Sequence, residues 1–589
     1  MAGFAVWAPG AERVRLRLEP VGRAAGRELA MHHEVGGWWR AQAPGAVPGT
    51  DYGFLLDGDD TPLPDPRSRW QPSGVHGPSR LYDSHAHDWK DAGWTGRQLA
   101  GSVIYELHIG TFTPQGTFDA AIDRLDHLVR LGVDLVEVLP VNAFNGTHNW
   151  GYDGVCWYAV HEPYGGPDGL KRFVDACHGR GLGVLLDVVY NHLGPSGNYL
   201  PRFGPYLKSG RNTWGDLVNL DGPLSGEVRR FIIDNALMWL HEFHLDGLRL
   251  DAVHALVDGG AVHLLEELAV EVDGLSAHLG RPLSLVAESD LNDPKLVSAR
   301  EAGGYGLTGQ WDDDVHHALH VLLTGETQGY YSDFAATQTL AKVYAGAFFH
   351  DGTWSSFRNR RHGRPVDRGR IAGSRFVVCL QNHDQVGNRA RGDRLPATLS
   401  TGLLKVGATL LLTSPFTPML FMGEEWAAST PWQFFTSHPE PELASTVAQG
   451  RREEFAEHGW PASDVPDPQD PATFERSKLD WSEPEDRAAH QEMFEFYRKL
   501  VALRKAHPDL SDPRLTHPRV RYGELGGHRY VVIRRGRYAV TCNLSGQRRR
   551  IPLDGTPLTV LLSSTPGFVF RDGEIELPPE SVAVVELAG

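Results

Sequence analysis

Residues 13–19, RVRLRLE, alternate strictly, with Val14, Leu16 and Leu18 set against Arg13, Arg15, Arg17 and Glu19. A period of two predicts a half-buried β-strand. Short strand-like pieces between Gly and Pro turns continue to about residue 85, VGGWWRAQAPGAVPGTDYGFLLDG among them, and predict a small β-sandwich. The Pro-rich TPLPDPRSRWQPSGVHGPSR leads out of it. From Val103 the pattern changes. Eight short apolar runs recur with helical stretches between them: SVIYELHI, VDLVEVLPV, LGVLLDVVYNH, DGLRLDAVH, LSLVAESD, GLTGQW, RFVVCLQNHD and SPFTPMLFMGEE. Near-continuous apolar strands belong to a sheet covered on both faces. In EVRRFIIDNALMWLHEF, Val228, Phe231, Ile232, Ala236, Trp239, Leu240 and Phe243 share one helical face. Eight such strand–helix units predict an α/β fold, a (β/α)₈ TIM barrel. After a helical stretch at roughly 483–508, HRYVVIRRGRYAVTCNL and the terminal SVAVVEL return to strand alternation and predict a second β-sandwich. The expected domains are 1–90 (N-terminal sandwich), 91–490 (barrel) and 491–589 (C-terminal sandwich).

Composition narrows the partners. The 589 residues are 41% hydrophobic and 22% charged, as in an ordinary globular protein, and exceed one domain's worth of chain. A net charge of −17 argues against nucleic acid or an anionic membrane as partner. The four cysteines, Cys156, Cys177, Cys379 and Cys542, lack CxxC spacing and are too scattered for a disulfide framework. MAGFAVWAPGAERV has no basic segment followed by an apolar core, so it is not read as a signal peptide. The apolar run Val406–Met422 is interrupted by Thr, Ser and Pro and reads as a buried strand entry, not a membrane span. A cytoplasmic protein is expected.

Chemistry in such a barrel sits at the C-terminal ends of the strands. The third run ends in Asp187, Asn191 and His192; the fourth in Arg249, Asp251 and His254; the fifth in Glu288; the seventh in His383 and Asp384. Each has a plain structural reading. Asp187 and Arg249 could form a neutralising ion pair, Asp251 a helix N-cap, and His383-Asp384 a turn. Gathered at one barrel mouth, the acids instead repel one another and divide into acid and base roles. Asp312, Asp313 and Asp314 read as a solvated turn. No EF-hand spacing occurs, and neither a metal nor an organic cofactor is expected.

The segments DVVYNH (187–192), GLRLDAVH (247–254), VAES (286–289) and QNHD (381–384) resemble, in order, the four signature regions of the α-amylase family. The resemblance spans roughly residues 100–480, and FAVWAPGAERVRLRL resembles the module preceding the barrel in branching and debranching members. It implies Asp251 as nucleophile, Glu288 as general acid/base and Asp384 as the third carboxylate. It implies Arg249 as the cation that holds Asp251 ionised, and His192, His383 and Tyr152 as contacts of the reacting sugar. Retaining chemistry with carboxyl groups about 5 Å apart would follow.

Finer resemblance points to the trehalose-releasing branch of the family. LVAESDLNDP, CLQNHDQVGNRARGDRL and GQWDDDVHHALHVLLTGETQGYYSDF are similar to its sequences, whereas branching members carry Ser-His-Asp-Glu in place of Asn382-His383-Asp384-Gln385. The implied substrates are maltooligosyltrehalose and glucan oligosaccharides, supplied by a maltooligosyltrehalose synthase. The implied reaction cuts the α-1,4 bond beside the terminal trehalose. Arg249, His254, Trp311, Phe357 and Arg358 are expected among the sugar contacts, and Trp214, Trp311, Phe357 and Arg358 sit in stretches read as lining the leaving-group pocket. The alternative is a glucan branching or debranching enzyme of the same family.

Overall fold

The computed structural model describes residues 2–19, 26–336, 338–457, 461, 464–525 and 528–588. Each of the eight apolar runs supplies one strand: β1 (Ile104–Leu107), β2 (Leu135–Val138), β3 (Gly183–Val188), β4 (Gly247–Leu250), β5 (Ser284–Ala287), β6 (Gly309–Trp311), β7 (Phe376–Cys379) and β8 (Thr417–Phe421). All pair in parallel in chain order, and β8 returns to β1, closing a (β/α)₈ barrel. Every residue of these strands is buried. That is why they read as unbroken apolar runs rather than alternations. The helix Ser225–Glu242 turns Val228, Phe231, Ile232, Ala236, Trp239 and Leu240 inward, as its periodicity predicts.

Register sets the chemistry. Asp187 on β3 pairs with Arg249 on β4, and Leu250 pairs with Ala287 on β5. Asp251 and Glu288 therefore leave adjacent strands in step. On the two strands preceding β3 around the barrel, Glu106 on β1 pairs with Glu137 on β2, and β2 pairs with β3.

Two antiparallel sheets precede the barrel. Ala2–Trp7, Trp38–Ala43 and His32–Glu34 form one; Arg27–Ala30, Val14–Glu19, Asp51–Leu56 and Ser79–Arg80 form the other. Val14, Leu16 and Leu18 are buried and their neighbours are not, as the alternation required. Five-stranded and three-stranded antiparallel sheets follow the barrel, between Arg519 and Leu587. The helix Ala488–Ala506 crosses the expected boundary at 490 and packs on the barrel helix Thr401–Leu412.

The run Val406–Met422 differs from its reading as a strand entry. Its first half completes the helix Thr401–Leu412, and only Thr417–Phe421 is strand. Thr409 and Thr413 fit that helix end because each hydroxyl donates to the carbonyl four residues back. All four cysteines are buried and unbonded. Among the described residues no helix is long and apolar enough to cross a membrane.

Candidate active site

A cleft of about 720 Å³ opens at the C-terminal end of the barrel, lined by Tyr152, His192, Asp251, His254, Glu288, Phe357, Arg358, His383 and Asp384. Its floor is organised by one cation. Arg249 is fully buried, and its Nη1 donates to both oxygens of Asp187 (2.9 and 2.8 Å) and to Asp251 Oδ1 (2.7 Å). Its Nη2 lies 3.6 Å from Glu288 Oε2. The planar fork lets one side chain reach three carboxylates that would otherwise repel. The guanidinium rests 4.3 Å above the Trp311 ring, a desolvated cation–π contact worth roughly 2 kcal/mol.

Asp251 is held from a second side by Asn191, whose Nδ2 donates to its Oδ2 (2.8 Å) and to its carbonyl (3.0 Å). The chain then turns sharply. Ala252 takes a left-handed conformation (φ 40°), an uncommon one for a residue with a side chain, and its N–H donates to Glu288 Oε2 at 2.6 Å. The turn thus ties the loops after β4 and β5 together at the two carboxyls.

Burial pushes Glu288 up to about 8, and Asp251, Asp384 and Asp313 add to the shift against the opposing pull of Arg249. It therefore holds a proton at neutral pH. Burial likewise raises Asp187 to about 6. His383 is pushed up to about 9: burial opposes its protonation, but Asp384 and Glu106 outweigh it. Burial lowers His192, whose Nε2 lies 3.0 Å from the Tyr152 carbonyl. The Tyr152 hydroxyl lies 2.6 Å from Asp187 Oδ2 and 2.8 Å from His383 Nε2, and the two rings stack.

On the far wall, His254 stands between Trp214 (centroids 6.1 Å) and Asp290 (3.9 Å). Arg358 also reaches Asp290, at 3.2 Å. Phe357 and Arg358 sit on the turn joining the strands Thr353–Ser355 and Arg360–His362, with Phe357 and Trp214 each about half exposed.

Two expected sugar contacts are not on the cleft wall. Trp311 is buried beneath Arg249 at the end of β6, and Arg249 itself is covered by the carboxylates it holds. Both build the floor. The triple aspartate is not a solvated turn either. Asp312 caps the helix Asp313–Thr324, and Asp314 is buried against the backbone N–H groups of Phe349 and His350. Asp313 faces the cleft beside Gln385 and is pushed up to about 6 by burial, with Asp384 adding to it. Alternation could not show this, because three adjacent acids at a helix start point in three directions. Glu106, Asp290, Asp313 and Tyr330 are further polar groups at or under the cleft. Of these, Asp313 stands out only as part of the acidic run read as a turn, and Glu106 carries a signal as a charge inside the otherwise apolar IYEL.

A closed parallel barrel with this arginine-clamped carboxylate cluster at its mouth defines the α-amylase class of glycoside hydrolases. The α-amylase catalytic-domain family matches residues 77–217, and carbohydrate-binding module 48 (isoamylase N-terminal domain) matches residues 2–70. Malto-oligosyltrehalose trehalohydrolase of Rhizobium sp. (strain M-11) is 57% identical over 99% of this chain and 97% of its own. That of Arthrobacter ramosus is 64% identical over 86% of this chain and 87% of its own. A crystal structure of a candidate alpha amylase from Salmonella typhimurium superposes with a TM-score of 0.88 at 39% identity, over 99% of this chain and 97% of that one. A 1,4-alpha-glucan branching enzyme of Leifsonia xyli is 30% identical over 73% of this chain and 60% of its own. The chain belongs to the malto-oligosyltrehalose trehalohydrolase family.

Proposed function

We propose that the cleft hydrolyses, with retention, the α-1,4-glucosidic bond next to the terminal trehalose of a maltooligosyltrehalose, releasing trehalose and a shortened maltooligosaccharide. Asp251 is the nucleophile, attacking the anomeric carbon. Glu288 gives its proton to the leaving oxygen and later takes one from the incoming water. Asp384, His383, His192 and Tyr152 hold the reacting sugar. Arg249 acts through Asp251 and Asp187 and does not touch substrate. The observation that carries this reading is the single guanidinium shared by Asp251 and Asp187 within reach of Glu288. It orients the Asp251 carboxyl group at the attacking position while burial keeps the neighbouring acid protonated. His254, Trp214, Phe357 and Arg358 form the opposite wall and are assigned to the leaving trehalose.

The trehalohydrolase names of the relatives support this substrate. Its supply would come from a maltooligosyltrehalose synthase, in the cytoplasm, and the three domains divide near residue 90 and after the helix Ala488–Ala506. The test is product analysis after incubation with maltotriosyltrehalose and, separately, maltopentaose. Trehalose plus maltotriose from the first, with the second nearly untouched, is expected. Equal cleavage of maltopentaose, or its rearrangement into branches, would overturn the specificity in favour of a general glucan-cleaving or branching activity. Asp251→Asn and Glu288→Gln should each remove almost all turnover with unchanged circular dichroism. Near-normal turnover in either would sink the assigned roles.

A further inference from the structure

Beneath the cleft runs a line of hydrogen bonds that starts in β1. Glu106 is 1% exposed and grips His383 at two atoms: Oε1 lies 2.6 Å from Nδ1, and Oε2 accepts the His383 backbone N–H at 3.0 Å. From the other ring nitrogen the line continues to Tyr152 (2.8 Å), then Asp187 (2.6 Å), then Arg249, then Asp251. Both oxygens of Asp187 already accept from Arg249, so the single Tyr152 proton goes to Asp187. The Tyr152 oxygen then presents a lone pair to His383 Nε2, which must carry hydrogen. Nδ1, facing a carboxylate, carries hydrogen too. An imidazole with two N–H groups is a cation.

Resting on the function proposed above, we propose that Glu106 is a positioning residue that locks His383 as an imidazolium and, through it, fixes Tyr152 beneath the reacting sugar. The titratable and charged groups facing His383 are Glu106 from β1, Glu137 from β2, Asp187 from β3, Arg249 from β4 and its own neighbour Asp384, with His108 behind it. Burial raises Glu137 well above the usual carboxylate range. Trp432 fixes the His383 carbonyl at 2.9 Å, and the Trp150 ring closes over its side. The ring therefore has one orientation, with Nε2 directed toward the cleft.

The test is the pH profile of Glu106→Gln. An amide can accept one of the two His383 N–H groups but must turn its own NH₂ toward the other, so the clamp fails on one side. At pH 7.5 kcat should fall on the order of 10²-fold, as when one preorganised donor is lost. It should recover toward acid with an ionisation near the ordinary histidine value of about 6.5. The wild type lacks that ionisation, and KM should move less than kcat. Glu106→Asp keeps the anion and should restore much of the rate without the new ionisation. Glu137→Gln, one strand away, leaves both Glu106–His383 bonds in place and should keep the wild-type profile. A uniform, pH-independent loss in Glu106→Gln would overturn the proposal. So would an equal loss in Glu137→Gln, or an ionisation near 6.5 in Glu106→Asp, which also carries the test if the amide variant fails to fold. Wild-type trehalose release is measured first. If another glucan is turned over instead, the substrate assignment falls, and the Glu106 comparison is made on that glucan.

Discussion

At the scale of single residues, the pH dependence of the rate follows from Glu288. Its proton is retained up to about 8 because burial disfavours the carboxylate more than Arg249, 3.6 Å away, favours it. The acid form is the reactive one, so kcat/KM on maltooligosyltrehalose should fall about tenfold per pH unit above that value. Rates measured from pH 5 to 10 check this; a flat profile to pH 10 would remove Glu288 as the acid. Arg249→Lys provides a second check. An ammonium cannot span Asp187 and Asp251 with the geometry of a guanidinium, so kcat should fall on the order of 10²-fold while the fold survives. Full activity in this variant would show that the guanidinium's geometry is dispensable. The acids and histidines at the strand ends were legible in sequence because each ends an apolar run where side chains become available to the barrel mouth. Trp311 was not. It too ends such a run, but its ring turns under Arg249, and only the register of neighbouring strands decides whether a terminal side chain faces cleft or floor. Glu106 was visible as a lone charge in a buried strand, yet its partner His383 lies 277 residues away and no local pattern joins them.

At the scale of elements, all eight barrel strands could be located from their apolar runs, since burial on both faces leaves at most one charged residue in each. The junction before β8 was harder, because a run of Leu, Thr and Ser suits a buried helix end as well as a strand. What fixes that junction comes from another helix. Arg504, fully buried in Ala488–Ala506, donates to the carbonyls of Leu412 (3.0 Å), Ser414 (2.9 Å) and Phe416 (2.7 Å). These three carbonyls follow a helix C-terminus and precede a strand, where backbone partners run out. Arg504→Met would fill the space and orphan the acceptors. Each buried unsatisfied group costs about 1–3 kcal/mol, so a loss of about 3 kcal/mol or more is expected. Thermal melting should show a lower Tm with kcat/KM at 25 °C unchanged. An unaltered Tm would mean that the carbonyls find other partners.

At the scale of the whole molecule, the remaining question is what the N-terminal module does for the barrel. Its match to a carbohydrate-binding module suggests a glucan platform, which requires an exposed aromatic face. Among the described residues, its exposed large hydrophobics are Val35 and Val47 only. Its tryptophans turn inward: Trp7 packs on Tyr206, Trp39 donates to the Ala8 carbonyl, and Trp38 donates to Glu227 at 3.3 Å under the Arg40 and Arg67 guanidinium groups. The linker adds Arg67 on Asp234 (2.9 Å) and Arg69, bidentate on Glu242 (2.8 and 2.6 Å), both carboxylates on the barrel helix Ser225–Glu242. Phe54 on Phe203 extends the same apolar seam. The seam thus buries the rings that a sugar would need, and the module braces the outer face of the barrel. Module and barrel should therefore unfold in one calorimetric transition. Arg69→Ala should lower that transition as a whole by about 1 kcal/mol or more, since the half-buried bidentate pair is the stronger kind of ion pair. KM for maltooligosyltrehalose should stay put, and the chain should migrate freely in a native gel cast with amylopectin. A separate low-temperature transition would contradict the brace, and retardation by amylopectin that Trp38→Ala abolishes would return the module to glucan binding.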